Sequence, residues 1–397
     1  MTFLKSLRLD GFLSFAPGSE AISLSPLNVL IGPNGAGKSN FIEAVELLHA
    51  TPTGFAQAIR DGGGAQEWLW RGTGATKAAL IEAVTAQDGS IPELRYRLEF
   101  TSSSHRTEVT DEALEEASKR KAAEADVFFY YRYQAGQPVI HIKEPASATY
   151  STGWSKRHLT RTSLVPDESV LSQRKDPDLY PELTWLGQQF GKLQTFREWS
   201  FGRYGALRQP QPADLPGDML SGDARNLGLL LNQLEHTDAG PLINKFLGRF
   251  LPRYQRFSTR IQGGTVQLYL HEEGPGAIPA TRLSDGTLRF LALLALLLSP
   301  APPPLICIEE PELGLHPDTL ALLAELLVSA SERTQLIVTT HSDALVSALT
   351  PQVGSVLVCE YLAGTRMRRL EPNSLKEWLE EYRLGDLWRM GELGGNP

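Results

Sequence analysis

The sequence predicts an α/β protein built on a mixed sheet, with a mostly helical subdomain inserted into it. A strongly apolar strand (27–31) runs into a glycine-rich loop and then a helix-periodic stretch. Residues 287–349 alternate apolar strands with helices, the pattern of a parallel sheet covered on both faces. Between these, residues 101–225 change to charged, aromatic and proline-rich sequence without long periodicity. The α/β domain is therefore read as discontinuous, 1–100 and 226–397, with 101–225 as the insert.

In chain order, Leu4, Leu7 and Leu9 alternate like a strand, and Pro17-Gly18 marks a turn. Ile22, Leu24, Leu27, Val29, Leu30 and Ile31 form the next extended run. Phe41, Ile42, Val45, Leu47 and Leu48 then fall at helical spacing, and two strand-like runs follow at 78–83 and 94–100. Residues 111–126, charged and alanine-rich, predict an exposed helix. Residues 227–234 read as a helix, and 256–262 and 265–270 as a hairpin turning at Gly263-Gly264. Helices at 287–298, 317–329 and 342–349 alternate with strands at 305–308 and 335–339, and a hairpin and a helix (374–382) close the sequence.

Composition narrows the function. Of 397 residues, 42% are hydrophobic and 21% charged, as in an ordinary globular chain rather than a disordered one. At roughly 150 residues per domain, two or three units are expected. The net charge of -8 argues against nonspecific affinity for nucleic acid and leaves only a local basic patch. Cys307 and Cys359 sit in apolar runs, as buried thiols of a reducing compartment do. The apolar run 288–298 is far short of the ~20 residues a membrane helix needs. The opening MTFLKSLRLDGF alternates like a strand and lacks the continuous apolar core of a signal peptide, so a cytoplasmic protein without a membrane partner is expected.

Four motifs carry the chemistry. Gly32-Pro33-Asn34-Gly35-Ala36-Gly37-Lys38-Ser39, followed by Asn40, fits G-x-x-x-x-G-K-[ST] between a strand and a helix. Such a loop turns backbone N–H groups and a helix N-terminus toward phosphate, with Lys38 reaching the β- and γ-phosphates and Ser39 a Mg²⁺ ion. Glu309 and Glu310 end an apolar strand, where the first can hold metal and the second can orient an attacking water. Ser284, Asp285 and Gly286 open a helix: Ser284 is a helix cap, or with Gly286 a second anion site. His341 follows the next strand, either as a plain loop histidine or as a γ-phosphate contact.

In order, GPNGAGKS, LSDGTLR, ICIEEPE and TTHS resemble the Walker A, signature, Walker B and switch-histidine motifs of ABC-class P-loop ATPases. The opening LKSLRLDGFLSF…LNVLIGPNGAGKSN and the run EEPELGLHP resemble the branch holding RecF, SMC and the OLD nucleases. The likeness covers roughly residues 1–100 and 226–350. It implies an ABC/SMC-head fold, with ATP and Mg²⁺ as cofactors. Lys38 and Ser39 would bind phosphate and metal, Glu310 would be the catalytic carboxylate and His341 the γ-phosphate sensor. Glu309 stands where the family often has Asp. Ser284 and Gly286 would touch ATP held by a second copy, giving a homodimer on ATP binding. A glutamine would link the metal to the insert, for which Gln173 is the candidate and Gln134 the rival.

Transporter subunits of this class have a much shorter interval between phosphate loop and signature than residues 40–282. SMC proteins would carry long heptads there, and none is sustained. OLD nucleases append a Toprim domain, for which the stretch after Thr350 is too short. The expected function is an ATP-hydrolysing, ATP-gated switch in DNA maintenance or anti-phage defence, with a protein effector as a further partner. The alternative is an ATP-binding regulatory module with little turnover. DNA is a candidate partner: residues 245–270 hold Lys245, Arg249, Arg253, Arg256 and Arg260 without an acid. Residues 127–161 hold five basic residues against Glu144, and Trp154, Trp185, Phe196, Trp199 and Tyr204 lie within or near basic stretches.

Overall fold

A computed structural model describes residues 2–74, 76–104, 106–120, 126–134, 136–143, 153–197, 199, 201–202, 204–274 and 276–395. The expected parallel sheet is present and has six strands. Its spatial order is Gln194–Phe196, Leu305–Glu309, Gln335–Thr339, Leu27–Ile31, Val356–Tyr361 and Thr365–Arg369. All neighbours are parallel except the last pair, which forms the closing hairpin.

Because side chains alternate along a strand, this sheet divides two cores. On strand Leu305–Glu309, Leu305 and Cys307 face one core and Ile306 and Ile308 the other. The first core also holds Phe41, Ile42, Val45 and Leu48 of helix Lys38–Ala50, which lies between the parallel sheet and an eight-stranded antiparallel one. The second is filled by helices Leu227–Glu235, Ala239–Phe250, Asp285–Leu297, Leu320–Ser331, Asp343–Ala348 and Leu384–Met390. Both cysteines are free and fully buried, and burial pushes the Cys359 thiol up to about 12.

The insert departs from the helical expectation. Residues 111–126 do not make an exposed helix: Arg106–Glu116 is a strand paired with Leu94–Ser103 and Phe129–Gln134. Strands Gln137–Lys143 and Trp154–His158 continue the antiparallel sheet that starts with Leu4–Asp10, Ile22–Ser23 and Ala78–Thr85. Among the described residues of the insert, helices are confined to short segments, chiefly Val170–Gln173 and Pro181–Phe190. Residues 121–125 and Glu144 lie outside the described residues.

The run beginning at Ile22 is two strands in two sheets, separated by Leu24-Ser25-Pro26. The hairpin at Gly263-Gly264 forms as expected, between Tyr254–Gln262 and Thr265–Glu272. The expected helix at 374–382 is replaced by short 3₁₀ turns, and the helix falls at Leu384–Met390. Among the described residues, no helix is long and apolar enough to cross a membrane.

Candidate active site

The phosphate loop leaves strand Leu27–Ile31 and enters helix Lys38–Ala50 with its geometry set by glycines. Gly37 has φ 98°, and a Cβ there would strike the hydroxyls of Thr365 and Ser14. Those two hydroxyls are hydrogen-bonded at 2.7 Å. Thr365 also donates to the Ala36 carbonyl, and Asn40 Nδ2 to Ser14 Oγ. Two residues far apart in sequence thus fasten the loop from behind. The helix is capped by Gly37 with no side-chain acceptor, so its first N–H groups stay available to an anion.

Lys38 folds over its own loop, donating to the Gly32 and Pro33 carbonyls at 2.6 and 3.0 Å. Burial lowers its pKa, opposed by Cys359, Glu310 and Glu309. A cavity of about 140 Å³ opens over it, lined by Asn34, Gly35, Gly37, Lys38, Ser39, Asn40, Glu309, Glu310, Thr339 and His341. Three of the four sequence motifs therefore meet in one place, at the C-terminal ends of parallel strands where ligands of α/β sheets collect.

Within that cavity Ser39 Oγ donates to Glu309 Oε1. An alcohol and a carboxylate brought together this way suit Mg²⁺, which takes hard oxygen ligands and completes its shell with water and phosphate. Glu310 follows at φ 46°, a left-handed conformation uncommon outside glycine and concentrated at functional sites. Its N–H is tied to the Thr339 carbonyl at 3.1 Å, and its own carbonyl accepts from Arg289 at 3.1 Å. The Glu310 carboxylate lies 3.7 Å from His341 Nε2. Burial, then the nearby Lys38 charge, lowers the His341 pKa, which favours the neutral ring.

The structure does not bring every expected residue here. Gln173 ends a short helix and spends its amide on backbone: its oxygen accepts from Val165 N–H, and its nitrogen donates to the Glu168 carbonyl. It lines a separate hollow with Glu112 and Tyr131, away from Glu309. Gln134 lies in a strand opposite Gln137. Ser284 is exposed and caps helix Asp285–Leu297, accepting from Thr287 N–H at 3.1 Å, and Gly286 packs against the Gly314 carbonyl. Neither borders the cavity of its own chain.

Sequence reasoning passed over four residues that organise the site. Arg197 donates from Nε to Glu309 Oε2 at 2.9 Å and reaches Glu46 and Glu43 at 3.2 and 3.3 Å. Burial alone would lower its pKa, but Glu309, Glu46 and Glu43 raise it. Glu312 accepts from the Thr340 hydroxyl and from His341 N–H at 3.0 Å, fixing the histidine's backbone. Arg208, almost fully buried, donates to the Phe201, Ala280 and Leu283 carbonyls and pairs with Asp285. Arg289 lies over the rings of Trp199 and Phe201. Glu312 ends the motif ICIEEPE and Arg289 ends LSDGTLR. Arg197 and Arg208 are isolated in sequence, and only folding gives them partners.

Two of the basic residues of 245–270 are already paired, Arg249 with Glu325 and Arg253 with Glu272. Phe196 and Phe201 each pack edge to face on Trp199.

Known proteins resemble this chain at two levels. The Smc head domain with an extended coiled coil, bound to the C-terminal domain of ScpA from Pyrococcus furiosus, superposes with TM-score 0.58 at 13% identity, covering 96% of this chain and 99% of that one. An SmcHead bound to the C-winged helix domain of ScpA gives 0.57 at 13% identity over 94% and 99%. At that identity the likeness is one of fold. By sequence, the chromosome partition proteins Smc of Halothermothrix orenii and Clostridium kluyveri are 49% and 46% identical over 43 residues. That match spans 11% of this chain and 4% of each relative. The family profile described as "AAA domain, putative AbiEii toxin, Type IV TA system" matches residues 27–347, from the phosphate-loop strand past His341. The chain thus belongs to this family of P-loop ATPases, and it has the fold of an Smc head.

Proposed function

We propose that this protein is an ATP-gated switch in which two copies close over two ATP molecules and hydrolysis by Glu310-activated water reopens them. The observation that carries the reading is the convergence of Lys38, Ser39, Glu309, Glu310 and His341 on one cavity. Lys38 would exchange the Gly32 and Pro33 carbonyls for phosphate oxygens, and the N–H groups opening helix Lys38–Ala50 would take others. Ser39 and Glu309 would hold a magnesium ion, which when bound neutralises phosphate charge. Glu310 would accept a proton from water while His341, neutral and beside it, donates toward the γ-phosphate. Ser284, exposed, and Gly286, half-buried, lie outside their own chain's cavity and would meet the nucleotide of a second copy.

The output we propose is chromosome maintenance or defence through a protein effector. The matching Smc proteins are named for chromosome partition, and the family for a toxin system. A DNA contact would have Lys245, Arg256 and Arg260 on an exposed surface, and would appear as salt-sensitive retention on duplex DNA.

ATPase rate, and mass in solution with and without ATP, test the switch. Glu310→Gln should abolish hydrolysis yet keep or strengthen ATP-dependent dimers, and Lys38→Ala should lose nucleotide binding itself. Full-rate turnover by a strictly monomeric wild type would overturn the two-copy closure. Normal hydrolysis by Glu310→Gln would overturn the role given to that carboxylate.

A further inference from the structure

The carboxylate of Glu309 is held from two sides. Oε1 accepts from Ser39, inside the cavity, and Oε2 accepts from Arg197 Nε at 2.9 Å. Arg197 follows strand Gln194–Phe196, whose parallel register against Leu305–Glu309 pairs Phe196 with Ile308, so the next residue falls beside Glu309. The other guanidinium nitrogens are fixed on helix Lys38–Ala50, at Glu46 Oε2 (3.2 Å) and Glu43 Oε1 (3.3 Å). Thr195 also donates to Glu46, at 2.9 Å. A guanidinium tied to three carboxylates cannot follow Glu309 if that side chain rotates. Glu309 therefore presents one oxygen to the cavity and keeps the other for the arginine.

We propose that Arg197 sets the divalent-ion preference of the nucleotide site by making Glu309 a one-oxygen ligand, a positioning role that rests on the phosphate-site reading above. Mg²⁺ demands near-octahedral geometry and single-oxygen ligands, whereas Ca²⁺ accepts both oxygens of one carboxylate in looser shells. A glutamate has the reach to turn both oxygens inward, and the fork of Arg197 prevents it. The same guanidinium joins the metal-side carboxylate to the segment leaving the insert, the link that Gln173 does not make. Lysine would keep the charge but lose the planar fork.

The test is equilibrium binding of a fluorescent ATP analogue to the full chain, titrated with Mg²⁺ or Ca²⁺, with thermal melting as the folding control. The wild type should need far less Mg²⁺ than Ca²⁺ for half-saturation. Arg197→Ala should narrow that ratio by about tenfold, the lower end of what residues orienting a metal ligand contribute. Loss of positive charge acts on both ions alike and cancels in the ratio, so the ratio reads geometry. Arg197→Lys should narrow it as well, and this variant decides the matter if the alanine protein does not fold. A folded Arg197→Ala with the wild-type ratio, or Arg197→Lys indistinguishable from wild type, overturns the proposal alone. A wild type that binds the analogue with neither ion overturns the phosphate-site reading and this proposal together.

Discussion

Glu112 is a buried carboxyl group with no basic partner in hydrogen-bond contact among the described residues. Oε1 accepts from Tyr96 and Ser169, at 2.7 and 2.6 Å, and Oε2 from Val170 N–H at 2.9 Å. Burial raises its pKa to about 7, with Asp111 adding to the shift against those hydrogen bonds. Between its ordinary value near 4.5 and about 7 the folded state holds a proton that the unfolded state has released. Stability from this group is therefore full below that window and falls as pH rises through it. Glu112→Gln, whose amide can accept from Val170 and donate to the two hydroxyls, should flatten the slope. The difference should be on the order of 3–4 kcal/mol across the window, read from melting curves at stepped pH.

At the level of elements, the loop that opens helix Asp285–Leu297 is held by one side chain. Arg208 gathers three carbonyls and Asp285, and no other residue described here spans those four groups. Arg208→Ala should cost about 1.5–3 kcal/mol, as loss of hydrogen bonds to a charged group does. It should also weaken ATP-dependent dimers in sedimentation while leaving single-chain nucleotide affinity intact, because Ser284 and Gly286 lie apart from their own cavity.

The same scale explains which elements could be read in the sequence. The central strands of the parallel sheet, Leu27–Ile31, Leu305–Glu309 and Gln335–Thr339, are largely apolar on both faces and declare themselves, as does the loop ending in Lys38-Ser39. Residues 106–116 do not: Ala113, Leu114, Glu115 and Glu116 are good helix formers. They are drawn into a strand by distant partners, with Arg95 and Arg132 on Glu115, Tyr130 on Glu116 and Tyr96 on Glu112. Local propensity carries no trace of those contacts. Arg197 escaped notice for the same reason, since a three-residue strand gives no periodicity and the carboxylates it joins are 112, 151 and 154 positions away.

For the whole molecule, the phosphate loop belongs to both cores at once. Val29 and Ile31 of its strand face one and Leu30 the other, while Thr365 of the closing hairpin and Ser14, in the turn after strand Leu4–Asp10, hold the loop. Nucleotide binding should therefore stabilise the fold as a unit, by about 2.7 kcal/mol at a ligand concentration one hundred times Kd. A calorimetric scan should show the shift in wild type and none in Lys38→Ala. An unshifted wild type in saturating Mg²⁺ and ATP would contradict the coupling. The motifs make the site readable from sequence, whereas its bracing comes from side chains that only this arrangement of sheets brings together.

Under the role proposed for Glu310, its left-handed backbone sets stability against turnover at a single position. An L-residue with a Cβ is disfavoured there by roughly 1–2 kcal/mol, a penalty that glycine escapes. Glu310→Gly should therefore melt higher than the native protein while splitting no ATP. Selection for heat resistance alone would favour the glycine form, whereas the water-activating role proposed for Glu310 would oppose it.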